Sequence, residues 1–248
     1  MSDSARVAVV TGASRGIGQA IALELGRQGF DIGLVQRGDA AETCSELERL
    51  GRRAHVVRTD LAQPGAASRA VADVAVALGR LDVAVANAGT ITRKPALELS
   101  IDDWCDVINL NLTSVFATSR AAADCFVRQG SGGCIVHIAS VLAFQGGLNV
   151  SAYAASKGGV IQLTRALANE WAALGIRVNA IAPGYIASTF TDALREDPAR
   201  RDEITRRIPA GRWGTNDDVA RTAAFLASPA AAYVHGHVLT VDGGWLGR

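Results

Sequence analysis

Val7-Ala8-Val9-Val10-Thr11-Gly12-Ala13-Ser14-Arg15-Gly16-Ile17-Gly18 is the stretch that decides the fold of this 248-residue chain. Arg6 to Thr11 is an apolar run of strand length that stops at a glycine. Ile17 to Gln28 then carries small and apolar residues at helical spacing. Gly12, Gly16 and Gly18 lie between the two, spaced G-x-x-x-G-x-G rather than the commoner G-x-G-x-x-G. Glycine permits a tight turn and a close backbone approach to a pyrophosphate, and the N–H groups opening the next helix favour an anion. Its place as the first strand-to-helix turn is what gives this glycine set weight.

The same alternation runs on. Strands are predicted at 31–36, 54–58, 81–86, 134–139, 176–181 and 238–241, and helices at about 40–50, 64–78, 101–129, 151–174 and 216–227. Continuously apolar strands alternating with helices imply a parallel sheet covered on both faces. The predicted fold is therefore α/β, a single doubly wound Rossmann domain over 1–248 with a parallel seven-stranded sheet. After Pro183 the rhythm breaks. Residues 185–213 carry two short helical pieces, Thr189 to Arg195 and Ala199 to Arg207, in an excursion that suits a lid over a binding site.

Composition excludes several classes. Near-equal acidic and basic counts leave a net charge of +1, which gives no surface for nucleic acid. Cys44, Cys105, Cys125 and Cys134 form no CxxC pair, so reduced thiols in the cytoplasm are expected. Met1 to Arg6 carries no signal-peptide pattern, and no apolar run approaches the ~20 residues that span a bilayer. His235 and His237 alternate along a predicted terminal strand but lack a third ligand, so no metal site is expected. His137 is expected to be a hydrogen-bonded core residue.

Ligands of open α/β sheets sit beyond the carboxyl ends of the strands. The second strand ends Gln36-Arg37-Gly38 with no acid at the position that would bind a ribose hydroxyl. Arg37, with Arg15 in the glycine turn, favours the 2′-phosphate of NADP(H); Asp39 nearby leaves NAD(H) possible. Asp60-Leu61 closes the third strand, Asp60 being placed to meet an adenine amino group. Asn87-Ala88-Gly89, Ser140 and Pro183-Gly184 close the fourth, fifth and sixth.

Beside Ser140 in this layout stand Tyr153 and Lys157, four residues apart on one helix face. Only Lys94 and Lys157 among the 25 Lys+Arg residues are lysines. A compact ammonium beside a phenol can lower the phenol's ordinary pKa of about 10 towards neutral-pH acid–base work.

Thr11-Gly12-x-x-x-Gly16-x-Gly18, Asn87-Ala88-Gly89, Asn111, Ser140, Tyr153-x-x-x-Lys157 and Pro183-Gly184, in this order, resemble the short-chain dehydrogenase/reductase family over essentially the whole chain. The resemblance implies that Tyr153 is the general acid/base, that Lys157 lowers its pKa and holds the nicotinamide ribose, and that Ser140 bonds the reacting oxygen. It implies that Asn111 holds a water linking Lys157 to solvent. Gly12, Ser14, Arg15, Gly16, Ile17 and Gly18 would contact the cofactor, as would Ile186 and Ser188 at the nicotinamide end. A homotetramer is the implied assembly, with a hydrophobic terminal segment at Trp245-Leu246 available for packing.

Phe144-Gln145-Gly146-Gly147, Asn169-Glu170-Trp171, the run Ile208 to Gly214 and the run Val241 to Leu246 resemble the family's sugar-acid dehydrogenases of 2-deoxy-gluconate and 2-keto-3-deoxy-gluconate type. Thr92 departs from them, where an arginine is expected. Arg93 is the candidate for the substrate carboxylate. Gln145 is a candidate for sugar hydroxyls and Tyr185 for the substrate wall, while Arg212 is expected to fasten the lid. The nearest alternative is a 3-oxoacyl thioester (acyl-carrier-protein) reductase, to which Arg200, Arg201, Arg206 and Arg207 could offer a basic docking patch. A non-catalytic nucleotide-binding regulator is the alternative of another class, and it has no need of the Ser140, Tyr153, Lys157 and Asn111 set.

Overall fold

The computed structural model describes residues 5–248; Met1 to Ser4, and the reading of the N-terminus that rests on them, lie outside the described residues. In chain order the elements are β1 (Val7–Thr11), α1 (Gly16–Arg27), β2 (Asp31–Gln36), α2 (Ala41–Arg49), β3 (Ala54–Arg58), α3 (Ala66–Leu78), β4 (Val83–Ala86), α4 (Ile101–Ile108), α5 (Ser114–Gln129), β5 (Gly133–Ile138), α6 (Ser151–Trp171), β6 (Ile176–Pro183), α7 (Asp192–Glu196), α8 (Pro198–Arg207), α9 (Asn216–Ala227) and β7 (Val238–Val241). The strands form one sheet in the order β3-β2-β1-β4-β5-β6-β7, every neighbouring pair parallel. Strand order reverses between β1 and β4, and that switch point opens the crevice in which such folds bind ligands.

Side-chain alternation along the central strands explains why both faces are covered. Ala8 and Val10 pack with Ile21 and Leu25 of α1 and Val219 and Ala223 of α9. Val7 and Val9 face the other way, towards Val71 and Val74 of α3, Phe126 of α5 and Leu167 of α6. Burying each Leu, Ile, Val or Phe side chain contributes about 1.5–3 kcal/mol relative to exposure, so two apolar layers hold the sheet rigid beneath its ligand-facing edge.

The single helix predicted over 101–129 is interrupted. Asn109–Thr113 forms a π-helical turn between α4 and α5. The wider turn rotates the following residues, and the buried Asn111 side chain meets the loop after β4: its Oδ1 accepts from the Thr90 N–H at 2.8 Å and its Nδ2 donates to the Thr90 carbonyl at 2.8 Å. Apolar periodicity carries no trace of one extra residue per turn.

His137 is fully buried, its two ring nitrogens each 2.8 Å from a hydroxyl, Ser119 on α5 and Thr164 on α6. His235 and His237 do not alternate along a strand. Gly236 between them has φ +66° and the strand begins only at Val238. Among the described residues no group of three or more His, Cys, Asp or Glu side chains is placed to hold a metal ion, and no helix is long and apolar enough to cross a membrane. The four cysteines are free thiols, with Cys125 and Cys134 buried.

The 185–213 excursion folds as a 3-10 turn at Thr189–Thr191 followed by α7 and α8. Asp197 caps α8, accepting from the N–H groups of Ala199 and Arg200 with Pro198 at the first helical position, where its missing N–H costs nothing. The return to the sheet is fixed by Trp213 Nε1 donating to Thr205 Oγ1 at 2.9 Å and by Arg212 Nη1 donating to Asp218 Oδ2 at 2.9 Å. Arg212 thus ties the end of the excursion to α9. That ion pair and the Thr215 N–H hold the Asp218 carboxyl down at about 2.

Candidate active site

The glycine turn is built as its sequence demands. Gly12 and Gly16 have φ +67° and +60°, backbone that a β-carbon disfavours. A Cβ on Gly18 would collide with the Gly12 carbonyl oxygen. Thr11 Oγ1 accepts from the N–H groups of Asn87 (2.9 Å) and Ala88 (3.0 Å), while Asn87 Nδ2 donates to the carbonyls of Thr11 (2.9 Å) and Gly12 (3.2 Å). The Asn87 side chain therefore staples the end of β4 to the glycine turn and shapes the cavity wall in doing so.

At the end of β2 the Arg37 side chain is 72% exposed, with its guanidinium 4.0 Å from Asp60. Asp60 also accepts from the Ala62 N–H. Asp39 does not face this space unopposed: its Oδ1 accepts from Arg58 Nη2 at 3.0 Å and from the Ala40 N–H at 2.9 Å. With its charge held by Arg58, Arg15 and Arg37 set the local sign.

Ser140 leaves β5 in extended backbone and α6 begins at Ser151, which brings Ser140, Tyr153 and Lys157 to one mouth. The Lys157 ammonium stands 5.7 Å from the centre of the Tyr153 ring and donates to the Ile138 carbonyl at 2.6 Å. Burial pulls Lys157 down to about 8. Burial also pushes the Tyr153 phenol above its ordinary value, against the opposing effects of a hydrogen bond with Ser140 and the positive charge of Arg93. Lys157 is not among the causes of that shift. The ammonium is anchored on Ile138 and desolvation of the phenolate dominates. Asn111 reaches Ser156 Oγ at 3.2 Å, next to Lys157 in sequence, while its amide is otherwise committed to Thr90.

Beyond Tyr153 the wall comes from distant segments. Arg93 donates to the Phe190 carbonyl of the lid at 3.1 Å, and the Tyr153 and Phe190 rings are 6.4 Å apart. Tyr185 packs 5.4 Å from Trp213 and 4.6 Å from Trp245. Trp245 Nε1 donates to Gln145 Oε1 at 2.8 Å. Trp245 is 6% exposed, folded into its own chain, while Leu246 beside it is half-buried. Sequence reasoning missed Trp245 and Phe190 as wall residues; the aromatic set Tyr185, Trp213 and Trp245 was the available signal.

The arginines of the 185–213 excursion are partly paired within it. Arg200 pairs with Glu203 and Arg201 with Asp202, while the Arg207 guanidinium lies 4.2 Å from the centre of the Trp245 ring. Two of the four arginines thus have acidic partners, while Arg206 is exposed and Arg207 keeps its charge over the ring.

One cavity of about 1150 Å³ runs from the glycine turn and Arg37 past Asn87, Ala88 and Gly89 to Ser140, Tyr153, Lys157, Pro183, Gly184, Ile186, Ser188 and Arg93, with Gln145, Tyr185, Phe190 and Trp245 on its wall; Asn111 and Arg212 do not line it. Drug-sized ligands occupy about 300–1,000 Å³, so the space suits a dinucleotide together with a small substrate. The residues fit such a cofactor: the glycine turn leaves room that side chains would fill, and two cations stand at the β2 end.

Comparison with known proteins agrees with the geometry. Residues 12–246 match the family model described as enoyl-(acyl carrier protein) reductase. A 2-dehydro-3-deoxy-D-gluconate 5-dehydrogenase of Escherichia coli is 50% identical over 247 residues, covering 98% of this chain and 96% of that protein. A proposed 2-deoxy-D-gluconate 3-dehydrogenase of Agrobacterium tumefaciens, solved with bound NADP, superposes with TM-score 0.93 at 47% identity, covering 100% of this chain and 98% of that one. A proposed NAD(P)-dependent gluconate 5-dehydrogenase of Beutenbergia cavernae, with NADP bound at low occupancy, gives TM-score 0.94 at 49% identity, covering 100% and 99%. Fold, cavity and relatives agree, and the chain belongs to the short-chain dehydrogenase/reductase family.

Proposed function

We propose that this protein is an NADP(H)-dependent oxidoreductase that interconverts a secondary hydroxyl and a ketone on a sugar acid of the 2-deoxy-gluconate or 2-keto-3-deoxy-gluconate type, in one catalytic domain. The observation that carries the substrate class is the pair Arg93 and Gln145 on the cavity wall beyond Tyr153. A guanidinium and an amide suit a carboxylate on a hydroxylated chain better than a long acyl tail. The sugar-acid relatives support the same reading. NADP(H) is favoured over NAD(H) because Arg15 and Arg37 line the cavity while Asp39 is held by Arg58.

The cofactor supplies or accepts the hydride. Gly12, Ser14, Gly16, Ile17 and Gly18 would hold its pyrophosphate, Asp60 and Leu61 would border its adenine, and Ile186 and Ser188 its nicotinamide end, all of them lining the cavity. Tyr153 gives the substrate oxygen its proton during reduction and takes it back during oxidation. Ser140 bonds the same oxygen where negative charge develops. Lys157 would hold the nicotinamide ribose and the positive charge beside Tyr153; with the Asn111 side chain committed to Thr90 and Ser156, a water linking Lys157 to solvent would rest on the backbone of the Asn111 turn. A protonated Tyr153 at neutral pH, which burial favours, suits it as the donor in reduction. We place the protein in the cytoplasm as a homotetramer, a state that light scattering on the purified protein measures.

The test is a panel of aldonates, 2-keto-3-deoxy-aldonates and 3-oxoacyl thioesters assayed with NADP and NAD in both directions. Turnover of a sugar acid, faster with NADP, is the expected result. Turnover of thioesters alone contradicts the substrate assignment.

A further inference from the structure

Gln145 and Trp245 are exactly one hundred residues apart and both line the cavity, yet their bond decides what one of them can recognise. An indole N–H only donates, so the atom of Gln145 that faces it must be the amide oxygen. The amide is thereby oriented: its oxygen is turned to Trp245, and its NH2 group, which has no protein partner among the described residues, is the end turned towards a ligand. A glutamine free to turn over would present either a donor or an acceptor; this one presents a donor.

The C-terminal turn is built to hold the indole there. Asp242, at the end of β7, accepts from the Gly244 N–H and the Leu246 N–H, both at 2.9 Å. Gly244, with φ +91°, turns the chain back. Trp245 then packs against Val141, Ile204 and Ile208, with Arg207 over its ring. Three residues of the 185–213 excursion and the loop after β5 therefore meet on one side chain.

We propose that Trp245 is a positioning residue that locks Gln145 as a hydrogen-bond donor, so that Arg93 and Gln145 form a donor-only end of the cavity selective for an anionic oxygen group, a carboxylate, over a neutral one. The proposal rests on the sugar-acid reading above and adds to it the residue that sets the polarity of the pocket. Trp245 itself need not touch the substrate.

Two variants test it, with 2-keto-3-deoxy-gluconate and its neutral methyl ester as substrates and NADPH binding followed by fluorescence. Trp245→Phe keeps the aromatic packing and removes the donor. Gln145→Glu keeps an acceptor for the indole and places a carboxylate oxygen where the NH2 stood. Loss of one charge-assisted hydrogen bond corresponds to about a tenfold change. Trp245→Phe should therefore raise KM for the acid about fivefold to tenfold, with kcat and NADPH affinity near wild type. Gln145→Glu should raise KM for the acid by more than about tenfold and reverse the preference, so that the ester becomes the better substrate. If Trp245→Phe fails to fold, Gln145→Glu still tests the donor end of the pocket, and an acid preference kept in that variant overturns the proposal. Equal KM increases for acid and ester in Gln145→Glu, or an unchanged KM for the acid in Trp245→Phe, would overturn the proposal. A wild type that turns over no sugar acid removes the substrate reading and this proposal together; a wild type that does so separates the two.

Discussion

The Lys157 ammonium donates to the Ile138 carbonyl at 2.6 Å, at the end of the strand that delivers Ser140. The bond fixes the amine at the junction of β5 and α6 and sets its distance from Tyr153. A buried ammonium on one carbonyl is costly, and its pKa falls to about 8.

That value gives a pH dependence for reduction. Below about 8 Lys157 is charged; above it the charge is lost. Tyr153, pushed above its ordinary value, stays protonated through the same interval. The kcat/KM for NADPH-dependent reduction should therefore fall as pH rises through about 8, while the phenol is still a competent donor. A profile flat from pH 7 to 10 would show that the charge of Lys157 is not required.

Cofactor preference should be movable at two places. Arg37→Asp removes a cation at the end of β2 and adds an anion, and one lost charge-assisted contact corresponds to about a tenfold shift towards NAD. Kd values for NADP and NAD measure it, and an unchanged ratio means that the 2′-phosphate lies elsewhere.

Arg58→Ala should act in the same direction without touching the cofactor, because it releases Asp39 from its 3.0 Å partner. Adding Asp39→Asn should restore NADP affinity. Melting temperature should barely change in either protein, since exposed ion pairs contribute about 0–1 kcal/mol.

His137 should make the fold acid-sensitive. Burial, with the Lys157 charge as a smaller cause, lowers its pKa to about 3. Between that value and its ordinary 6.5 the unfolded chain binds a proton that the folded chain does not, so stability rises with pH across this window and is lost as pH falls. The contribution is about 1.4 kcal/mol per pH unit. His137→Gln should be less stable at pH 7, with unfolding free energies by urea denaturation that decline less steeply from pH 6 to 4.5. An identical slope would assign the acid sensitivity to other groups.

The seven strands and the meeting of Ser140, Tyr153 and Lys157 at one cavity were legible because both rest on local signals. Val7 to Thr11 reads as a buried strand whatever it packs against, and Tyr153 with Lys157 is a four-residue spacing. The π turn at Asn111 was not legible, since one added residue leaves the surrounding apolar pattern intact. The state of Asp39 depends on Arg58 across a strand pair, Gln36 beside Arg58 in register, which sequence order hides. Trp245 was assigned to subunit packing because an apolar residue near a chain end gives no sign of where the chain turns. Its partner Gln145 was recognised, but not the bond that orients it.

Tyr153→Phe tests the central claim most directly, because it removes one hydroxyl and leaves the ring against Phe190. With the best sugar acid from the substrate panel, NADPH oxidation should fall by about 10²–10⁴-fold, while NADPH still binds with wild-type affinity by fluorescence titration. Full turnover in Tyr153→Phe would contradict the assignment of the proton to Tyr153.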